Sequence, residues 1–91
     1  MNQSIERTTL SNLVTNEEYC RKVLPFIKAD YFDIKEERVV FEEITNFVEK
    51  YKRIPTKISL EIEVESRKDL TQDQHTKIVE IIQTLDATDV D

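Results

Sequence analysis

Carboxylates are the most numerous side chains in this sequence that could take part in chemistry. Acid–base catalysis needs two carboxyl groups whose surroundings move their pKa values apart, and neighbours on a solvated helix face do not meet that need. The glutamates also lack the loop motif of calcium sites. We therefore interpret them as a solvated surface and assign no catalytic or metal-binding residue. They form three adjacent pairs and one alternating series: Glu17–Glu18, Glu36–Glu37, Glu42–Glu43, and Glu61, Glu63 and Glu65.

The sequence has one histidine, His75, and one cysteine, Cys20. A zinc site needs several such ligands, and a Cys–His dyad would depend on a chance meeting of the two in the fold. His75 falls in the first turns of a predicted helix, where we interpret it as a solvated residue. Cys20 lies on an apolar stripe, which is typical of a small core residue.

Glycine is absent from all 91 residues. Phosphate-binding loops of the GxxxxGK[ST] type, dinucleotide-binding GxGxxG turns and GxSxG nucleophile elbows all require it. The sequence therefore excludes the usual nucleotide sites and nucleophile elbows. We predict that this chain is not an enzyme and binds no cofactor.

Composition indicates one small domain over residues 1–91 with a thin core, since 35% of the residues are charged and 38% are hydrophobic. The net charge of −6 disfavours nucleic-acid binding, because phosphate contacts require clustered Lys and Arg. A single cysteine cannot form an internal disulfide, and no long apolar run indicates export or membrane insertion. We expect a cytoplasmic protein that does not contact membranes.

The clearest element is a helix over residues 34–52. Its apolar residues recur with the 3.6-residue period of an amphipathic helix. Asp33 is a candidate N-cap with Glu36 three residues later, and Pro55 prevents the helix from continuing. The apolar stripe consists of Val40, Phe41, Ile44, Phe47, Val48 and Tyr51.

The segment 57–66 is ambiguous, because Ile58, Leu60, Ile62 and Val64 alternate with polar residues as in a strand. As a helix, the same segment carries two apolar pairs, each spaced i, i+4. We interpret it as a helix, since the sequence offers no second strand for pairing. If Ile58 and Ile62 face the core, then Leu60 and Val64 are candidates for a protein interface. The alternative is that both pairs are buried.

Shorter helices complete the pattern. Thr71 and Gln74 have the spacing of a capping box at the start of the last helix, and Thr56 can cap the ambiguous segment. An early helical face begins at Asn16 and ends at Pro25. With Asp33, Thr56 and Thr71, the sequence therefore contains a capping signal for three of its predicted helices.

Together these elements predict an all-α fold, a compact small domain of about five helices. The connection after the early helix should fill the core with its apolar residues Phe26, Ile27, Tyr31 and Phe32. Residues 86–91 should fray as the start of a linker or hairpin. The predicted core consists of Leu13, Leu24, Phe32, Val40, Phe41, Ile44, Phe47, Val48, Tyr51, Ile78, Ile81, Ile82 and Leu85.

The order of motifs along the chain carries a family resemblance. An early LSNLVTNEEYCRKVLPFIKADYF stretch contains a short leucine-bearing helix, a polar TNEEY turn and the Asp30-Tyr31-Phe32 sequence. The long helix then follows with Val40-Phe41, and Pro55 leads into a further apolar segment. Over roughly residues 5–85 this order resembles the N-terminal domain of DnaB-type hexameric replicative helicases, most closely the version in T-even-type bacteriophages.

The resemblance implies a fold and a role. In that family an all-α N-terminal head is followed by a helical hairpin, a linker and a RecA-like motor that uses ATP and Mg²⁺ and translocates on single-stranded DNA. The heads form a collar on the hexameric ring, where primase docks. The implied function is a non-catalytic oligomerisation and primase-docking module in DNA replication, with neighbouring subunits and a helicase loader as further partners. The domain itself would not bind nucleic acid and, if phage-encoded, would act in the host cytoplasm.

Two further expectations concern the extent and the class of the chain. The family's hairpin would begin after about residue 85, so we expect a fragment that is monomeric or only weakly associated. A second hypothesis is a stand-alone acidic helical phage protein that inhibits or adapts a host enzyme by imitating DNA. The 13 basic residues, scattered among the acidic ones, disfavour the nearly uniform negative face that a mimic needs.

Overall fold

The computed structural model describes residues 5–85, which form five α-helices and two short 3-10 helices and contain no strand. The predicted all-α fold is therefore confirmed. Residues 86–91, predicted to fray as a linker or hairpin start, lie outside the described residues. The elements are α1 (Ile5–Thr15), α2 (Glu17–Val23), two 3-10 helices (Leu24–Phe26 and Ala29–Tyr31), α3 (Lys35–Tyr51), α4 (Lys57–Glu65) and α5 (Gln72–Gln83).

The central helix is α3, which packs against α1, α4 and α5. Its predicted N-cap at Asp33 is wrong, because the helix starts one residue later, after Ile34, whose side chain makes no cap. The residues just before α3 are held instead by a side chain of the helix itself. The Arg38 guanidinium donates to the backbone carbonyls of Phe32 at 2.9 Å and Asp33 at 3.2 Å.

The end of α3 turns sharply without a glycine. Lys52 takes the left-handed conformation, with φ of 61°, and its N–H donates to the Val48 carbonyl at 2.8 Å. Glycine is common here because a Cβ atom in this conformation costs roughly 1–2 kcal/mol. Pro55 is buried in the connection that follows, and the helix stops before it, as predicted.

Polar caps define where three helices begin. The Asn16 side chain accepts a hydrogen bond from the Tyr19 N–H at 3.0 Å at the start of α2. Thr56 accepts one from a backbone N–H of α4 at 3.0 Å. Thr71 and Gln74 form the predicted capping box of α5 in both directions.

The ambiguous segment is the helix α4, as predicted. Leu60 and Val64 are fully buried, whereas Ile58 is 70% exposed and Ile62 is 59% exposed. The prediction that Leu60 and Val64 point outward is therefore wrong, and the two pairs exchange roles. Because both pairs have the same spacing, the direction in which α4 faces is decided by its packing against α3 and α5.

The core takes side chains from all five helices and from the connection before α3. Among the predicted core residues, Leu24, Phe47 and Val48 are only partly buried. The core placements of Phe26, Tyr31 and Tyr51 are wrong, since they are 84%, 43% and 45% exposed at positions where their elements end. The buried apolar residues are Leu10, Leu13, Val14, Cys20, Phe32, Val39, Val40, Phe41, Ile44, Leu60, Val64, Ile78, Ile81, Ile82 and Leu85.

Two arginines tie distant parts of the chain to α3. Arg7 of α1 pairs with Glu37 at 3.0 Å, and Arg67, which follows α4, pairs with Glu43 at 3.0 Å. Arg67 also holds Asp69 at 2.8 Å. Both α3 glutamates are buried, so the predicted solvated surface is wrong for Glu37 and Glu43. A buried carboxylate needs such a partner to offset its lost hydration.

Candidate protein-interaction surface

Cys20 and His75, the single cysteine and the single histidine of the sequence, both lie on helices. Cys20 is buried in α2, and this burial raises the pKa of its thiol, which lowers the reactive thiolate fraction. His75 is half-buried in the first turns of α5. Across residues 5–85, the His, Cys, Asp and Glu side chains form no group of three that could hold a metal ion. Over the same range, no helix has the length and apolarity needed to cross a membrane.

Exposed apolar side chains gather beside the C-terminal end of α3. We use the name α4 face for the surface formed by Phe47 and Tyr51 of α3 with Ile58 and Ile62 of α4. The two aromatic rings lie 4.5 Å apart between centroids. A cavity of about 250 Å³ opens between the helices and is lined by Phe47, Tyr51 and Ile62. Exposed apolar clusters of this kind mark interaction sites on small proteins.

The orientation of α4 about its own axis places Ile58 and Ile62 in solvent. Ile58 and Ile62 lie one turn apart on the side opposite the buried residues. The start of the helix is anchored by the Thr56 cap and by Lys57, whose ammonium group donates to the Gln83 carbonyl at 3.1 Å. The isoleucines therefore project from a helix whose orientation is held by contacts on its inner side.

Negative charge surrounds the isoleucines of the α4 face. Glu61, Glu63 and Glu65 belong to the same helix, and within residues 5–85 none of them forms an ion pair. On α2, in contrast, both glutamates are paired with a basic residue one turn later. The carboxylates of α4 are therefore available to charged groups of another molecule.

The α3 side of the same surface is basic. The Lys50 ammonium lies 5.3 Å from the centroid of the Tyr51 ring, a distance at which cation–π attraction acts. Arg53, which follows α3, lines the same cavity as Glu63. The α4 face therefore combines an apolar centre with a negative border on α4 and a positive border on α3.

A second concave region, the α2–α3 groove, lies on the other side of the end of α3. Its volume is about 470 Å³, and its apolar floor includes Leu24, Val48 and Ile54. The charges at its rim are mixed, and one pair is satisfied internally at 2.9 Å. The charged rim residues are Glu17, Arg21, Glu49, Lys52 and Arg53.

The sequence left two alternatives for α4, an interface at Leu60 and Val64 or burial of both apolar pairs, and the structure contradicts both. Leu60 and Val64 were the predicted interface residues, and the structure brings Ile58 and Ile62 to the surface instead. No local signal separates the two pairs, because both follow i, i+4 spacing. Tyr51 was missed because its place on the apolar stripe of α3 predicts burial.

The fold and this surface define a small all-α domain whose exposed groups suit contact with proteins. A match to the DnaB-like helicase N terminal domain family covers residues 1–90, and the chain belongs to that family. Comparisons with curated proteins and with solved structures give no match. The family resemblance of the sequence is therefore confirmed. Domains of this kind form the non-catalytic N-terminal part of helicases in DNA replication and take part in the association of helicase subunits.

Proposed function

We propose that this domain serves a phage replicative helicase as part of the ring collar and as the docking site for primase. The observation that carries the proposal is the family match over residues 1–90. The ATPase motor, with its ATP and Mg²⁺, would lie outside this chain, because the known nucleotide loops require glycine. The T-even-type order of motifs supports a phage origin.

The surface chemistry supports docking of a protein. Protein interfaces combine an apolar centre with a polar rim, and the α4 face has both features in the exposed Ile58 and Ile62 and the glutamates beside them. The net charge of −6 opposes contact with DNA phosphates. A helicase loader is a second candidate partner for the same kind of surface.

The collar role has a consequence for self-association. If the subunit-pairing hairpin follows residue 85, as the resemblance implies, this chain should be monomeric or weakly associated. Sedimentation velocity over a range of concentrations measures this directly. A tight hexamer formed by the 91-residue chain would contradict the expectation.

Titration with primase tests the docking role. We expect the chain to bind the primase encoded in the same genome with saturable heat in calorimetry and with modest salt dependence, because the interface would have an apolar centre. If neither this chain nor the longer helicase binds primase, the docking role is wrong. Binding to a host enzyme that weakens steeply with salt would favour the acidic, DNA-imitating inhibitor instead.

The reading frame beyond the codon for Asp91 tests the position of the motor. We expect a helical hairpin and then a GxxxxGK[ST] motif within about two hundred residues, since a motor needs a phosphate-binding loop. A stop codon directly after Asp91 would remove the motor from the proposal.

A further inference from the structure

We infer that the α4 face receives an amphipathic helix of the docking protein, apolar along one stripe and rich in Lys and Arg where it meets α4. The inference rests on the proposed function, because it names the surface and the chemistry through which primase would dock. It depends on three observations: the shape of the surface, the charges on α4 that form no ion pair within residues 5–85, and the net charge of −6.

The shape suits side chains of a protein partner. The cavity between Tyr51 and Ile62 has a volume of about 250 Å³, which is below the roughly 300–1,000 Å³ of small-molecule sites. Ile58 and Ile62 extend the apolar surface by one helical turn along α4. A helix that places apolar residues at i, i+3 and i+4 can fill such a surface, as helix-in-groove complexes do.

The charges specify the partner and its orientation. Glu61, Glu63 and Glu65 form no ion pair within the described part of the chain, so Lys or Arg of a partner would gain new contacts there. Lys50, which lies over the Tyr51 ring, and Arg53, which lines the cavity, would repel a basic side chain. The basic side of the bound helix should therefore turn toward α4.

A second copy of this chain is a poorer occupant. Each copy carries a net charge of −6, and like charges disfavour association of two copies. The sequence DATDVD at residues 86–91 is acidic as well, and it would meet the same repulsion. A basic helix from another protein meets neither difficulty.

The test compares two double variants of the 91-residue chain in binding to primase. Ile58→Gln/Ile62→Gln removes the apolar centre of the α4 face, and Gln keeps high helix propensity. The matched control, Ile5→Gln/Phe26→Gln, removes two apolar residues elsewhere that are even more exposed, at 73% and 84%. We expect at least about a tenfold rise in Kd for the first variant, as for residues at the centre of an interface, and an unchanged Kd for the control.

A charge series tests the partner's chemistry. Replacing Glu61, Glu63 and Glu65 with Gln should weaken binding about threefold to tenfold at low salt and less at high salt. The control changes the net charge equally by replacing Glu36, Glu49 and Glu80, which lie on other helices and form no ion pair within residues 5–85, and should leave Kd unchanged. If the two triple variants behave alike, the glutamates of α4 do not recognise a basic partner, and the inference is wrong.

Hydrogen exchange of primase in the complex identifies the segment that binds. The inference requires a protected, basic amphipathic helix, and protection confined to an acidic or extended segment would overturn it.

If wild-type chain binds primase and Ile58→Gln/Ile62→Gln binds equally well, the surface is wrong while the proposed function stands. If wild-type chain and longer helicase both fail to bind primase, the proposed function itself fails. If Ile58→Gln/Ile62→Gln instead abolishes self-association seen in sedimentation, a second copy occupies the surface.

Discussion

The two sides of α4 carry similar apolar residues, but one side is buried and the other is exposed to solvent. Leu60 and Val64 are fully buried, and Ile58 and Ile62 are 70% and 59% exposed, although each pair is spaced by one turn. Their apolar character is nearly equal. The difference shows that an apolar pair on a short helix can belong to a core or to an interface, and that contacts at the ends of the helix help to decide which.

The strongest test of this comparison is truncation on each side of α4. Leu60→Ala should lower the free energy of unfolding by about 2–5 kcal/mol, because it leaves a cavity in the core. Ile62→Ala should change it by no more than about 0.5 kcal/mol, since an exposed side chain leaves no cavity. Urea denaturation followed by circular dichroism measures both values. Equal losses for the two variants would break the comparison.

The next test removes the anchor that follows α4. Arg67→Leu deprives the buried Glu43 of its ion pair and should lower the free energy of unfolding by about 1–3 kcal/mol, because Arg67 is itself partly exposed to solvent. Lys68→Leu is the control, because Lys68 is exposed and adjacent. The same urea experiment applies. An equal effect of both variants would mean that Arg67 does not hold the end of α4.

A smaller effect is expected at the start of α4. Thr56→Ala removes the oxygen that accepts the Ser59 N–H and should cost about 1 kcal/mol. Thr56→Ser keeps an acceptor and should cost only a fraction of that. Thermal unfolding of the three proteins would rank them. If the serine variant loses as much as the alanine variant, the hydroxyl does not act as a cap.

The smallest effect concerns pH. The hydrogen bond from Arg67 lowers the pKa of Asp69 from 3.8 to about 2. Since this pKa is depressed on folding, the pair's contribution to stability is complete above pH 3.8 and disappears as the pH falls through about 2. Asp69 is exposed, so we expect the change in stability to be slight.

Carboxyl NMR titration can detect this interaction even though it is weak. In the wild-type chain the Asp69 carboxyl should titrate near pH 2, and in Arg67→Leu it should return toward 3.8. An unchanged titration in the variant would show that the observed contact between Arg67 and Asp69 does not persist in solution. The anchor after α4 would then depend on the contacts of Arg67 with Glu42 and Glu43.

Local signals in the sequence were sufficient for some parts of the fold and insufficient for others. The long amphipathic stripe predicts α3, and the Thr71–Gln74 capping box marks the start of α5, because both depend on residues within a turn or two. Predictions failed where contacts between distant residues matter. Glu37 resembles any exposed helix glutamate until Arg7 of α1 reaches it.

For the α4 face as well, local signals in the sequence were sufficient for one feature and insufficient for others. The sequence indicated that α4 carries two apolar pairs and left open whether both are buried; the structure exposes one of them. It did not indicate which pair faces outward, nor that Tyr51 stays exposed at the end of α3. Those outcomes depend on how α3 and α5 pack against α4. The spacing of apolar residues within the nine residues of α4 does not specify that packing.

By itself, the sequence determined the all-α class, the absence of glycine-dependent nucleotide loops and the resemblance to helicase N-terminal domains. These properties follow from composition, local periodicity and the order of motifs along the chain. Only the tertiary structure decided that Ile58 and Ile62 face solvent and that Glu37 and Glu43 are buried with arginine partners. The physical reason is that burial and ion pairing depend on residues far apart in sequence, which the packed helices bring together.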